Sequence, residues 1–218
     1  MVPPRARVVN VGKRYGRKCI TQAEINALLV RFASAGEVVV RLKSGDPSIF
    51  ARAGEELDAL REAAIDIEII PGVTASLAAA AKLRVSLTDR RRADRLLFVT
   101  AHREHGKQDY WHALVNSRTT LAVYMPGEHV RVAEDLCGAG LSESTPCVIV
   151  SKVSTPDEQW YRTTVGSLHS APVMPAPCVL IVGETVRTEV PEKVRSQTLR
   201  NLPLQGDFRE PSGLPTGP

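Results

Sequence analysis

The turn at residues 43–47, which reads Lys-Ser-Gly-Asp-Pro, has residue types that could bind a nucleoside-like ligand. It follows an apolar run and precedes residues at helical spacing, and strand-to-helix turns of this kind bind ligands in α/β folds. Gly45 lets the backbone approach a ligand closely, and Asp46 and the turn's amides could bind it. A capped helix with Asp46 as N-cap and Pro47 at its first position explains the same residues without a ligand.

Two further segments could complete such a site. Residues 71–75, Pro-Gly-Val-Thr-Ala, form a second strand-to-helix turn, whose amides would lie near the first turn if the two strands are neighbours. Residues 11–18 form a glycine-bracketed basic loop that could face a polyanion. Taken alone, residues 71–75 are explained equally well as an ordinary helix start, and residues 11–18 as a solvated basic loop.

The elements that must position these turns alternate between short β-branched runs and longer Ala/Leu/Glu stretches, which is typical of an α/β fold with mainly parallel strands. Thr21 and Glu24 predict a capping box at the start of the first helix. In the first half the sequence predicts helices at 20–35, 49–64 and 74–83 and strands at 38–42 and 65–70. In the second half it predicts a mixed sheet with strands at 96–100, 120–125, 147–151 and 178–182, and a helix at 130–136.

The composition changes at a charged stretch without periodicity, which predicts a domain boundary. We expect an N-terminal α/β domain at residues 1–88, a linker at 89–95 and a C-terminal α/β domain at 96–190. Residues 191–218 are rich in Pro, Gly, Arg and Gln and are expected to be a disordered tail.

The charge balance and the cysteines exclude several classes of protein. The net charge is +4, but basic residues are scattered among 24 acids, which favours an anionic small molecule at least as much as nucleic acid. The four cysteines contain no CxxC pair, so we expect no metal site or disulfide framework and a reducing cytoplasm. No run suggests a membrane span. His102 and His105 lack an evident third metal ligand.

Seven short motifs follow one another along the chain, namely VGKRxG from Val11, QxEIN from Gln22, VVRLKxGDPxIFxRxGEE from Val39, PGVTA from Pro71, FVTxH from Phe98, Tyr124-Met125 and CVLIVGE from Cys178. Taken in this order, they closely resemble uroporphyrinogen-III C-methyltransferases, a group within the tetrapyrrole methylases. The resemblance covers about residues 8–186.

The resemblance implies two α/β domains with a cofactor cleft between them, a homodimer, and transfer of methyl groups from S-adenosylmethionine to uroporphyrinogen III, giving precorrin-2 for sirohaem or cobalamin. Lys13 falls where the family has a proposed proton donor. The positions at which the family holds the cofactor are Ser44, Gly45, Asp46, Ile49, Thr74, Ala75, Met125 and Val153. Because the substrate carries many carboxylates, candidate ligands for it are Arg14, Arg17, Lys18, Arg41 and Arg52.

The sequence departs from the family pattern in three places. It begins after the family's first strand and Gly-rich GxGPGD loop, which predicts an unpaired sheet edge and leaves the general base unassigned. Ser44 and Val153 stand where the family has glycines. Two alternatives therefore stay open, namely another precorrin methyltransferase and a catalytically inactive fragment.

Overall fold

The computed structural model describes residues 3–12, 20–101, 109–115, 118–127 and 129–187. The chain is a mixed α/β protein, as the sequence predicts. Its helices are α1 (Gln22–Ser34), α2 (Ala53–Glu62), α3 (Ala75–Leu83), α4 (Asp109–Leu114) and α5 (His129–Gly138). Its strands are β1 (Arg95–Thr100), β2 (Thr119–Tyr124), β3 (Pro146–Ser151), β4 (Gln159–Thr164) and β5 (Cys178–Val182), with short 3-10 helices at Val165–Ser170 and Glu184–Val186.

The five strands form one mixed sheet in the order β1-β2-β5-β3-β4. Strands β1 and β2 are parallel, and the other neighbouring pairs are antiparallel. The predicted strands of the second half are confirmed to within one or two residues. Helix α4 was not predicted from the sequence, and its Trp111 is buried in the core.

Strict alternation along the central strands gives the sheet two apolar faces. On β2, Leu121 and Val123 belong to one core cluster, whereas Ala122 and Tyr124 belong to the other. The first face is covered by α4 and α5, and the second by the alanine-rich helix α3. Because each face is apolar, the sheet has to be covered by helices on both sides.

Helix α1 begins where the sequence predicts, and it packs against α2. The Thr21 hydroxyl accepts a 3.2 Å hydrogen bond from the Glu24 N–H, and Glu24 accepts a 2.6 Å bond from the Thr21 N–H, which confirms the capping box. The Asn26 side chain donates to the Glu55 carbonyl of α2. These polar contacts fix the two helices side by side.

The prediction of strands at residues 38–42 and 65–70 is wrong. Among the described residues these segments have no strand partner, because the backbone groups of neither one form a ladder. Val38, Val40 and Leu42 are 96%, 75% and 70% exposed, at alternate positions of an extended chain. An apolar run becomes a strand only when a neighbour supplies its hydrogen bonds, so hydrophobicity alone could not decide this.

The helix predicted at 49–64 begins later than expected. Arg52, with φ of 55°, is the N-cap of α2, so Asp46 and Pro47 do not start this helix. Within the predicted linker at 89–95, residues 89–93 form a tight turn closed by hydrogen bonds between Asp89 and Ala93, and Arg95 already belongs to β1. The division into domains stays a prediction, and the tail beyond residue 187 lies outside the described residues. None of the described helices has the length and apolar character needed to cross a membrane.

Candidate functional site

The two turns singled out in the sequence lie against each other. The Asp46 Oδ2 atom accepts a 2.9 Å hydrogen bond from the Gly72 N–H, and its Oδ1 atom accepts a 2.8 Å bond from the Ser48 N–H. Asp46 is thus the residue that joins one turn to the other, and the alternative in which it caps a helix is wrong, because Arg52 is the N-cap of α2. The two hydrogen bonds, of which the one from Gly72 contributes more, lower the pKa of Asp46.

Two glycines make this contact possible. Gly45 has φ of 72°, a conformation that favours glycine, and a Cβ atom there would lie 3.6 Å from the Thr74 Cα atom. A Cβ atom on Gly72 would lie only 2.3 Å from the Gly45 carbonyl oxygen. Ser44, the serine at a family glycine position, is not among the described residues with positive φ, so its side chain causes no backbone strain there.

A third segment, the end of β2, joins the two turns through Tyr124. Its hydroxyl lies 2.6 Å from Thr74 Oγ1 and 2.8 Å from Ser76 Oγ, and it accepts a 3.2 Å bond from the Ser76 N–H. Its ring lies 4.9 Å from the Phe50 ring, between centroids. The next residue, Met125, is half-exposed and has φ of 50°. Residues far apart in the sequence therefore meet at one place.

The remaining predicted cofactor residues surround the same apolar cluster. Ile49, Ala75 and Val153 are partly buried, and all three pack against the cluster that contains Tyr124. Val153 lies between Lys152 and Ser154, which both have positive φ, in a turn held by a 2.8 Å bond from the Ser154 N–H to Glu158. Thr74 is the N-cap of α3, but its hydroxyl contacts Tyr124 and makes no capping bond.

An ion-pair network supports the first turn. The Glu56 carboxylate, 5% exposed, lies 2.7 Å from Lys43 Nζ and 3.3 Å from Arg41 Nε, and it accepts a 3.0 Å bond from Gln22. Lys43 also donates to the Ala51 carbonyl at 2.7 Å. Burial acts to raise the pKa of Glu56, but the bonds from Lys43 and Gln22 and the two cationic charges together lower it. Lys43 is thereby held immediately before Ser44.

The predicted substrate and catalytic residues are only partly described. Arg41 is paired with Glu56, and Arg52 forms a two-pronged pair with Glu55 at 2.6 and 2.7 Å, so their predicted binding of substrate carboxylates stays a prediction. Lys13, Arg14, Arg17 and Lys18 lie outside the described residues, as do His102 and His105. No group of side chains suited to a metal ion is found within the described ranges.

Sequence reasoning quoted Tyr124 and Gly72 within motifs but assigned neither of them a role. One signal was available for Tyr124, namely a hydroxyl-bearing aromatic residue directly before a predicted cofactor residue at the end of a strand. No comparable signal existed for Phe50, because its contact with Tyr124 spans more than 70 residues of sequence.

The backbone of both turns fits a ligand with hydrogen-bond acceptors. Within the described part of the chain, the N–H groups of Ser44, Gly45 and Asp46 donate to no protein acceptor. The side-chain bonds of Asp46 hold these amides at a fixed place beside the start of α3. Together with the apolar side chains of Ile49, Ala75 and Val153, the site combines polar backbone with an apolar wall, as small-molecule sites commonly do.

Comparison with known proteins identifies the family of the chain. Residues 2–169 match the family model of the tetrapyrrole (corrin/porphyrin) methylases. The chain is 40% identical over 184 residues to siroheme synthase 1 of Pectobacterium atrosepticum, covering 83% of this chain and 38% of that protein. A similar match to siroheme synthase 1 of Klebsiella pneumoniae is 40% identical over 185 residues, covering 84% of this chain and 39% of that protein. The chain thus spans less than half the length of these curated relatives.

Solved structures give the same assignment. The uroporphyrin-III C-methyltransferase of Thermus thermophilus, complexed with S-adenosylhomocysteine, is 34% identical with a TM-score of 0.65, covering 76% of this chain and 74% of that one. A cobalt precorrin-4 methyltransferase is 27% identical with a TM-score of 0.70, covering 78% of this chain and 73% of that one. The chain therefore belongs to the tetrapyrrole methylases, a family whose methyl donor is S-adenosylmethionine.

Proposed function

We propose that this chain binds S-adenosylmethionine at its two interlocked turns and carries out C-methylation of uroporphyrinogen III to precorrin-2. The observation that carries the proposal is the Asp46–Gly72 hydrogen bond, because it joins the two turns in which most of the predicted cofactor residues lie. The contact between Tyr124 and Thr74 adds the segment that ends in Met125. The predicted cofactor positions thus form one group in space.

The residues present fit the cofactor chemically. Free backbone N–H groups at Ser44, Gly45 and Asp46 suit carboxylate or hydroxyl acceptors, and Ile49 and Val153 supply apolar surface for a nucleoside. The side chains of Thr74, Ala75 and Met125 would complete the set. When bound, S-adenosylmethionine supplies an electrophilic sulfonium methyl group.

The protein's part in the reaction is chiefly alignment. An electron-rich pyrrole carbon attacks without a strong base, so two rigid turns that hold both reactants in line account for much of the acceleration. A proton has to leave the macrocycle afterwards, which requires an ionisable group nearby. The role of Lys13 as proton donor is proposed from the family resemblance alone.

Arginines next to the first turn suit a substrate with many carboxylates. Arg41 precedes this turn and Arg52 follows it, and we propose both as substrate ligands together with Arg14 and Arg17. The Arg52–Glu55 pair is half-exposed, so a substrate carboxylate can compete with Glu55 for the guanidinium group. The uroporphyrinogen assignment draws support from the identity to the Thermus thermophilus enzyme and from the siroheme synthases. We also propose a homodimer that acts on small molecules and binds neither nucleic acid nor membrane.

A second candidate is methylation of a later, cobalt-containing precorrin. It is favoured by the cobalt precorrin-4 methyltransferase, whose TM-score of 0.70 exceeds that of the Thermus thermophilus complex. The sequence identity is lower, however, at 27% against 34%. We therefore rank uroporphyrinogen III first.

The test is methyl transfer from isotopically labelled S-adenosylmethionine to uroporphyrinogen III and, separately, to cobalt precorrin-4, followed by mass spectrometry. We expect two labelled methyl groups on uroporphyrinogen III. Label on cobalt precorrin-4 alone would establish the second candidate. Calorimetric titration with S-adenosylhomocysteine runs in parallel, because binding without transfer to either substrate would identify an inactive fragment, and the absence of both would overturn the proposal.

A further inference from the structure

We propose that Tyr124 is a positioning residue that sets cofactor affinity by holding the second turn in place. The inference rests on the proposed function, because it assigns Tyr124 a role at the same site. Tyr124 is 9% exposed and is itself not one of the predicted cofactor ligands. It acts through the residues that it contacts, which are Thr74, Ser76 and Phe50.

The phenol hydroxyl is fully used by the second turn. It can donate one hydrogen bond and accept two, and three partners lie within 3.2 Å, namely Thr74 Oγ1, Ser76 Oγ and Ser76 N–H. Thr74 is 4% exposed and Ser76 is fully buried, so water cannot replace these bonds. Removing the hydroxyl would leave buried polar groups without a partner.

Tyr124 also replaces the ordinary cap of helix α3. The first N–H groups of a helix have no partner inside the helix, and an N-cap threonine normally accepts a bond from one of them. Here Thr74 makes no such bond, and the Ser76 N–H, at the second position of the helix, donates to Tyr124 instead. The start of α3, and with it Thr74 and Ala75, is therefore fixed by a residue of the sheet.

The ring of Tyr124 connects the remaining parts of the site. Phe50, which follows the first turn, lies 4.9 Å away between centroids, and Phe98 of β1 lies 6.1 Å away. The peptide bond after Tyr124 leads directly to Met125, whose positive φ makes its backbone depend on the exact end of the strand. One side chain at the strand end thus contacts Thr74 of the second turn and Phe50, three residues after the first turn.

The test compares Tyr124→Phe with Tyr161→Phe in the full chain. Tyr161 lies on β4 and packs against the other face of the sheet, so it is a matched loss of a phenol oxygen outside the site. For Tyr124→Phe, which loses all three bonds of the hydroxyl, we expect the Kd of S-adenosylhomocysteine to rise roughly tenfold, a change equal to the net free energy of about one buried hydrogen bond. The KM for S-adenosylmethionine should rise similarly while kcat changes less, and Tyr161→Phe should alter neither.

A purely structural role would give a different result. Tyr124→Phe would then lower the unfolding midpoint but, well below that midpoint, bind S-adenosylhomocysteine as tightly as the unchanged protein, and this would overturn the inference. Ser76→Ala serves as a milder variant that removes one of the three partners, with an expected loss of affinity of about two- to threefold. An unchanged affinity in Ser76→Ala would contradict the inference if Tyr124→Phe did not fold.

Amide hydrogen exchange separates this inference from the proposed function. Without any ligand, Tyr124→Phe should speed exchange at residues 72–77 and leave the centre of the sheet protected, whereas Tyr161→Phe should not. Unchanged exchange at residues 72–77 would overturn the positioning role even if the protein binds no S-adenosylmethionine. Failure of cofactor binding with faster exchange would refute only the proposed function and the effect on affinity.

Discussion

The carboxylate of Asp46 accepts a 2.9 Å hydrogen bond from the Gly72 N–H, and this single bond joins two turns that are 26 residues apart. From the sequence, Asp46 could either cap a helix or bind a ligand. In the structure its two oxygens hold two different backbone N–H groups, so the side chain organises the site.

Replacing Asp46 with asparagine should weaken cofactor binding. Asparagine has one acceptor oxygen, so it can keep only one of the two bonds, to Ser48 or to Gly72. We expect the Kd of S-adenosylhomocysteine, measured by calorimetry, to rise about tenfold. Asp66→Asn is the control, because the exposed Asp66 carboxylate accepts a bond from the adjacent Ile67 N–H and joins no two turns among the described residues. Equal affinities in the two variants would contradict the role of Asp46.

Replacing Gly72 with alanine should disrupt the contact between the turns. The new Cβ would lie 2.3 Å from the Gly45 carbonyl oxygen, so the backbone has to move. We expect a loss of about 1–3 kcal/mol in the free energy of unfolding, measured by urea denaturation. Gly54→Ala is the matched control, because a Cβ there meets nothing within 4 Å and alanine favours the helix. A Gly72→Ala protein as stable as Gly54→Ala would show that the turns can separate freely.

Replacing Glu56 with alanine should strongly destabilise the protein. The change leaves Lys43, 9% exposed, with a buried charge and no carboxylate partner. Breaking a buried ion pair in this way costs about 3–5 kcal/mol, whereas Glu55→Ala, at a half-exposed pair, should cost under about 1 kcal/mol. Chemical denaturation monitored by circular dichroism measures both variants. Similar losses in the two would mean that the Lys43–Glu56 pair is solvated.

The pKa of Asp89 should lie well below that of an ordinary aspartate. Hydrogen bonds from Arg91 lower this pKa to about 2. Since the folded-state pKa is depressed, the stability that Asp89 contributes is present above its unfolded value of about 3.9 and is lost as the pH falls towards about 2. Carbon-13 NMR titration of the carboxyl group measures the pKa directly. Arg91→Ala should raise the pKa of Asp89 towards about 3.9, whereas Arg90→Ala should change this pKa little. A larger increase in Arg90→Ala than in Arg91→Ala would refute the role of Arg91.

The exposed apolar segment at residues 38–42 should bind hydrophobic dyes and promote self-association. Val38 and Val40 are 96% and 75% exposed on an extended segment that has no strand partner among the described residues. Changing both to threonine, which has nearly the same shape, should lower dye fluorescence and light scattering without reducing stability. Val173→Thr, at an equally exposed but separate position, should have little effect. Unchanged scattering in the double variant would exclude the segment at residues 38–42 as the cause of self-association.

The sequence by itself determined the family, the capping box of α1, four of the five strands of the mixed sheet and the positions of both turns. These features depend on residues close together in the chain, such as the alternating side chains of β2 and the Thr21–Glu24 pair, so local patterns reveal them. It could not determine that residues 38–42 stay unpaired, because a strand depends on backbone partners elsewhere.

Only the tertiary structure decided how the site is assembled. Asp46 bonds to Gly72 and Tyr124 bonds to Thr74 and Ser76 across 26 to 50 residues of chain, and no local pattern encodes such contacts. Burial strengthens the bonds of Tyr124, because a hydroxyl shielded from water has to find its partners within the fold. The sequence therefore singled out the two turns, and packing determined which side chains join them.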